Sequence, residues 1–311
     1  MRRFYLLLLS FLVTPLAMAQ DAGHLLQRLQ QAPQGNYQGS FVYERKGVFS
    51  THQMWRFTDA RGQQRERFLQ LSGPRLEVFR RNGEISCVAQ PQDGHFAAQH
   101  WPAQNLDWSQ LHNWYSLRLM GSSRVADRSA MVVLFSPRDA HRYPLELHLD
   151  EETAVPLKSL LLNGHGQLLE RFQFVNFSVN TVTEQQLQDS ASQCRELKKQ
   201  SGHPADYGWS WQLGWLPEGF APVHQQAQNW QAGDRQASTR TYTDGLAQFS
   251  VFVEALSNRD VAAARIQMGP TAVVSRRLET PDGVFMLTVL GEVPPATAEQ
   301  LAQAIELGSG E

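Results

Sequence analysis

Gly39-Ser-Phe-Val-Tyr-Glu-Arg45, followed across Lys46-Gly47 by Ser50-Thr-His-Gln-Met-Trp-Arg-Phe57, is the stretch whose reading decides the fold. Both runs have strand length and are rich in β-branched and aromatic residues. Lys46-Gly47 between them supplies a two-residue turn. The pattern repeats through Arg65–Leu71, Leu76–Arg80 and Ile85–Ala89, with turn signals at Asp59 to Gly62, Ser72-Gly73-Pro74 and Asn82-Gly83. Strands joined this tightly form an antiparallel meander, because a parallel sheet needs a crossover helix between strands. Asp107 then reads as the cap of a helix with Leu111, Trp114, Tyr115 and Leu119 on one face. Strands resume at Ala130–Ser136, Leu145–Leu149, Leu157–Leu162 and a long run from Leu168 to Val179. The alternation in that last run is apolar on one side and mixed on the other, which predicts a sheet covered on one face.

Upstream, Arg2 and Arg3, the apolar run Phe4–Val13 and the small-x-small site Ala17-Met18-Ala19 have the order of a cleavable secretory signal peptide over residues 1–19. The run is about half the roughly 20 residues that cross a bilayer. Gln20, and not Cys, follows the cut, so the acylation pattern of a lipoprotein is missing. Ala22–Leu29 reads as a short amphipathic helix. With Arg2 and Arg3 removed, the 28 Lys and Arg fall by two against 30 Asp and Glu, a net charge of -4. That balance does not suggest a nucleic-acid partner.

The mature chain, about 290 residues, exceeds one domain at roughly 100–200 residues each. The first domain is expected over 20–182. Residues 183–207, poor in apolar side chains, read as a linker, and 208–311 as a small α+β domain. There Tyr242-Thr-Asp-Gly-Leu246 turns into the strand Gln248–Glu254, and Ala272–Leu278 and Val284–Leu290 flank Pro281-Asp-Gly283. Pro294, Pro295 and Thr297 open a last helix whose Ala298, Leu301 and Ile305 share a face. The fold class is α+β: a large curved antiparallel half-barrel sheet with packed helices, plus the smaller C-terminal domain.

The ten histidines are scattered with no His-x-x-x-His or His-x-His pair, which argues against a metal centre. Nucleophile elbows and Gly-rich phosphate loops are absent, and Glu151-Glu152 reads as a solvated turn. No enzyme activity, cofactor or metal is expected. Cys87 and Cys194 are the only cysteines. In an oxidising compartment they can bridge; two buried thiols are the alternative. Aromatic residues concentrate at Trp101, Trp108 and Trp114 and again at Trp209, Trp211 and Trp215. Such side chains serve as interface anchors when exposed and as core when not.

Several stretches carry a family resemblance: Gln70-Leu-Ser-Gly-Pro-Arg75, Ser123-Arg-Val-Ala-Asp-Arg128, Pro137-Arg-Asp139 with Arg142-Tyr143, and Gly166-Gln-Leu-Leu-Glu-Arg-Phe172. In the small domain they continue with Trp215-Leu-Pro-Glu-Gly-Phe220, Tyr242-Thr-Asp-Gly-Leu246 and Val289-Leu-Gly-Glu-Val-Pro294. In order and number they resemble the MucB/RseB family of periplasmic sigma-factor regulators. The resemblance implies a LolA/LolB-like first domain and a periplasmic negative regulator of envelope-stress signalling, including alginate control. Its partner would be the periplasmic domain of a transmembrane anti-sigma factor of the RseA/MucA type, shielded from regulated proteolysis. Lipopolysaccharide or lipoprotein acyl chains would trigger release. Partner contacts are expected at Trp209, Trp211, Trp215, Phe220, Arg240 and Tyr242. The rival reading is a periplasmic lipid or lipoprotein carrier.

Overall fold

The computed structural model describes residues 35–89, 108–187, 194–196, 209–224, 228–232, 235–256, 262–281 and 283–309. The signal peptide, the Ala22–Leu29 helix, Asp107, Trp101 and residues 188–193 and 197–207 of the 183–207 linker lie outside the described residues.

The meander folds as expected: β1 (Tyr37–Arg45), β2 (Val48–Thr58), β3 (Gln64–Gln70), β4 (Glu77–Arg81) and β5 (Glu84–Ala89) pair successively and antiparallel. Lys46 and Gly47 both have positive φ, as do Asn82 and Gly83. These are the mirror-image turns whose twist matches that of a hairpin. After helix α1 (Trp108–Trp114) a second meander runs through β6 (Tyr115–Val125), β7 (Arg128–Pro137), β8 (Leu145–Asp150), β9 (Pro156–Leu162) and β10 (Leu168–Phe174). Strand β10 then pairs with β1, so β1 joins the two meanders into one sheet. The short β11 (Ser178–Val179) and β12 (Cys194–Glu196) add to β1 and β5. The sheet has twelve strands and ends on β12 and β6, which do not pair; it is open.

Three expectations change. The helix stops at Trp114, and Tyr115 and Leu119 belong to β6, because Tyr115-Ser-Leu-Arg-Leu alternates and finds a ladder on β7. The long run to Val179 breaks at Val175 and Asn176, where Asn176 Oδ1 accepts the Ser40 amide at 3.0 Å. Ile305 leaves the last helix and begins a strand.

The inner face of the sheet is packed with Tyr37, Phe41, Met54, Leu111, Phe172 and Phe174, among others, all buried. Ring pairs Phe41–Phe172 and Phe172–Phe174 lie 4.6 and 5.2 Å apart, the second edge to face. This geometry suits aromatic quadrupoles. Cys87 is disulfide-bonded, and its backbone pairs with Glu196 of β12, the strand that begins with the only other cysteine.

The second half contains a two-stranded ribbon, β13 (Trp209–Leu213) with β21 (Ile305–Ser309). Its main sheet has seven strands: β14 (Ala221–Pro222), β15 (Gln228–Ala232), β16 (Arg235–Thr243), β17 (Gln248–Ala255), β18 (Arg265–Met268), β19 (Thr271–Thr280) and β20 (Gly283–Gly291). Helix α2 (Pro295–Gln303), opened by Pro294 and Pro295, buries Ala298 and Leu301 against Val251, Leu287 and Val289. Pro suits this position because its missing amide would be unpaired there anyway.

Candidate functional site

The two halves meet around the loop 138–144 between β7 and β8. Arg142 is buried and crosses the boundary. Its Nε donates to Asp244 Oδ2 at 2.6 Å, and its other nitrogens donate to Asp139 and to the Glu218 carbonyl. The guanidinium carbon lies 5.4 Å from the Trp114 ring centroid and 4.9 Å from that of Phe220, one ring from each half. Arginine suits the place: a planar fork satisfies several acceptors at once and stacks on rings.

Asp244 sits at the turn after β16. Its Oδ1 accepts the amides of Leu246 and Ala247 at 2.8 and 2.7 Å, and its Oδ2 accepts the Tyr115 hydroxyl at 3.2 Å. Burial, with the negative Asp244 beside it, holds the Tyr115 hydroxyl well above its ordinary pKa. The phenol is therefore a permanent donor. The carboxylate thus receives four donors, three from its own turn and Arg142 and one from β6, which offsets its desolvation.

Around this centre, His141 stacks edge to face on Trp215 at 5.1 Å and shares a 3.2 Å hydrogen bond with Thr297. Tyr143 donates to the Val293 carbonyl. Gly219, at φ +84°, lies flat against Trp114, where a Cβ would overlap the indole.

A second bridge lies at the β1–β2 turn. Arg45 pairs with Glu170 at 2.7 Å and Glu292 at 3.1 Å, and Lys46 donates to the Gln267 carbonyl. Tyr43 donates to the same Glu170 oxygen at 2.6 Å. Burial and the neighbouring Glu170 push the Glu292 carboxyl up to about 7, against the pull of Arg45. The space between Tyr115, Tyr143, Glu170 and Glu292 is a cavity of about 40 Å³. It has room for a water or two and none for an acyl chain.

Of the six residues expected at the partner surface, three are buried and three are half-buried. Trp211, Phe220 and Tyr242 are buried in the small-domain core. Trp211 donates to Ser238 at 2.8 Å, Arg240 lies over its ring, and Tyr242 stacks on Phe249. Trp209 and Trp215 are half-buried against the same core. Trp209 and Trp211 share the covered side of the ribbon, and Ser210 between them faces solvent. Sequence reasoning assigned no role to Arg142 or Asp244, although both lie in stretches that carried the resemblance. Among the described residues no three His, Cys, Asp or Glu side chains gather at metal-ligand distance.

The MucB/RseB N-terminal domain model matches residues 21–193 and the MucB/RseB C-terminal domain model matches residues 206–306. The chain belongs to the MucB/RseB family. Among its relatives, the sigma factor AlgU regulatory protein MucB of Pseudomonas aeruginosa is 46% identical over 96% of this chain and 95% of its own. The sigma-E factor regulatory protein RseB of Escherichia coli K12 is 31% identical over 93% and 92%. The solved complex of P. aeruginosa MucA and MucB superposes with a TM-score of 0.79, covering 92% of this chain and 98% of that one. MucB alone gives 0.72 over the same shares. As a MucB/RseB member the chain is a sigma-factor regulator by family, and its junction falls between the two family modules.

Proposed function

We propose that this protein is a periplasmic negative regulator that binds the periplasmic domain of a transmembrane anti-sigma factor and shields it from regulated proteolysis. The observation that carries the reading is the full-length likeness to MucB, a relative solved in complex with the MucA periplasmic domain. The signal-type N-terminus supports export, with 20–182 and 208–311 as the two domains and 183–207 as their linker.

Such a role needs binding surface and a choice of domain arrangement, and no bond-breaking chemistry. A ligand shifts that choice only by its different affinity for the two arrangements. Lipopolysaccharide or lipoprotein acyl chains act here as releasing ligands. The carrier reading is disfavoured because the described inner face is filled by aromatic and aliphatic side chains. The six aromatic-cluster residues then act indirectly, by packing the small domain and, through Trp215 on His141, by holding the junction. Cys87 and Cys194 bridge and tie the end of the first domain to its sheet.

The test is binding and protection. The purified protein is expected to bind the P. aeruginosa MucA periplasmic domain in calorimetry and to slow its cleavage by the site-1 protease of that pathway. Acyl-chain binding without MucA binding would return the carrier reading.

A further inference from the structure

Away from the junction, three side chains on the first domain's sheet are connected as a nucleophile, a base and an orienting acid. Ser123 Oγ lies 2.7 Å from His148 Nδ1, and His148 Nε2 lies 2.8 Å from Glu146 Oε1. An ionised carboxylate only accepts, so Nε2 carries the ring proton and donates to Glu146. Nδ1 then keeps its lone pair and accepts the Ser123 hydroxyl proton, the arrangement that activates a serine. Burial, helped by Lys158, lowers the His148 pKa from its ordinary 6.5 against the pull of Glu146, so the ring is a neutral base at pH 7. Sequence motifs do not announce the set, because Ser123 and His148 stand 25 residues apart on β6 and β8, with β7 between them.

The edge of the sheet supplies the remaining part. Ala126 and Asp127, both at positive φ, form the two-residue turn from β6 to β7, which closes on a hydrogen-bonded Val125–Arg128 pair. Hydrogen-bonded and open pairs alternate along an antiparallel ladder, so Arg124 falls at an open pair and its amide points away from β7. No described strand lies beyond β6. That amide, on the residue after the serine, occupies the position from which hydrolases draw an oxyanion donor. A bulge between Leu119 and Gly121, with Gly121 at φ +116°, bends the same edge, as bulges beside active sites do. A Cβ on Gly121 would point to the same side as Ser123 and would meet nothing within 4 Å. The approach is therefore open; Ser123 is partly exposed and His148 is 6% exposed.

We propose that Ser123 is the nucleophile of an acyl-transfer site that hydrolyses esters of short carboxylic acids, with His148 as its general base and Glu146 as a positioning residue. The inference goes beyond the regulatory reading and does not rest on it. Ser123 Oγ attacks the ester carbonyl as its proton passes to His148 Nδ1, and the Arg124 amide faces the oxyanion. The bond to the alcohol oxygen breaks, and the alcohol leaves with the proton from His148. Water then adds to the acyl-serine, giving a proton to the same nitrogen, and the acid departs as His148 returns that proton to Ser123. A short acyl group suits a site that opens on a strand surface and shares no lining residue with the cavities at Arg80 and Tyr115.

The test is active-site labelling and turnover on the full chain, each variant being certified as folded by its thermal melt. Wild-type protein is expected to take one fluorophosphonate on the Ser123 peptide, read by mass, and to turn over p-nitrophenyl acetate beyond one equivalent. Ser123→Ala, which removes a single oxygen, loses both. His148→Gln slows both at least about hundredfold, the scale of a general base, and Ser129→Ala, an exposed hydroxyl on the same hairpin, matches the wild type. Turnover should rise with pH to a plateau whose midpoint lies below 6.5, since the base acts only when neutral. Glu146→Gln moves that midpoint lower, because the carboxylate that favours the imidazolium is gone. The other charges on this face stay in place: Lys158 beside His148, the Arg128–Asp150 pair, and Arg118 in register with Glu146 through Leu134. An unmoved midpoint overturns the role of Glu146. No wild-type adduct, an adduct without turnover, or wild-type rates in Ser123→Ala overturn the site and leave its hydrogen bonds as a strut between strands.

Discussion

Replacing Arg142 with Met removes the only cation that pairs with Asp244 among the described residues while keeping most of the bulk between Trp114 and Phe220. Breaking a buried ion pair from one side costs about 3–5 kcal/mol. Asp244 keeps two amide donors and the Tyr115 hydroxyl, so the lower end, about 3 kcal/mol, is expected. That is more than a hundredfold in the docking equilibrium, at about 1.4 kcal/mol per decade. The loss falls on the contact between the halves and not on either core. Guanidinium unfolding followed by tryptophan fluorescence should therefore separate into two transitions, the small domain melting first. A double-mutant cycle with Asp244→Asn isolates the pair, and a coupling of about 2 kcal/mol is expected. Coupling below about 0.5 kcal/mol, or one unshifted transition in Arg142→Met, would refute the view that this pair joins the domains.

Gly219→Ala meets both a positive φ and the Trp114 ring; a loss of about 1–3 kcal/mol is expected in denaturant titration, and unchanged stability would show that the indole has room to move. For Glu292, the folded carboxyl sits near 7 against an ordinary 4.5, so its contribution is present below about 4.5 and is lost as pH rises through 7. Charged Glu292 is faced by Arg45, Glu170, Tyr43 and Tyr143. Melting temperatures of wild type and Glu292→Gln should converge at pH 5 and diverge by pH 8 with the variant higher; parallel curves would count against a buried, raised carboxyl. Cys87→Ser/Cys194→Ser should lose about 2–4 kcal/mol, the usual scale for a bridge closing a long loop, and wild-type protein should show no thiol to Ellman's reagent without denaturation and reductant.

The meander was legible because its information is local. Alternation and two-residue turns at Lys46-Gly47 and Asn82-Gly83 leave a chain no compact option except hairpins. Membership in the family was legible as well, since the ordered stretches from Gln70 to Val289 span both modules. The Tyr115–Val125 strand was missed, because Leu111, Trp114 and Tyr115 also fit a helical face and only the ladder with β7 breaks the tie. The burial of Trp211, Phe220 and Tyr242 was not legible for a similar reason: an aromatic run reads the same whether it faces solvent or core.

The sequence by itself determined the antiparallel class, the division into two modules and the regulator family, all of which follow from short-range pattern and motif order. Tertiary structure alone decided that Trp211, Phe220 and Tyr242 are core and that Arg142 and Asp244 meet across about a hundred residues of chain. Those are relations between distant positions. Burial and charge pairing exist only once the two sheets are brought together.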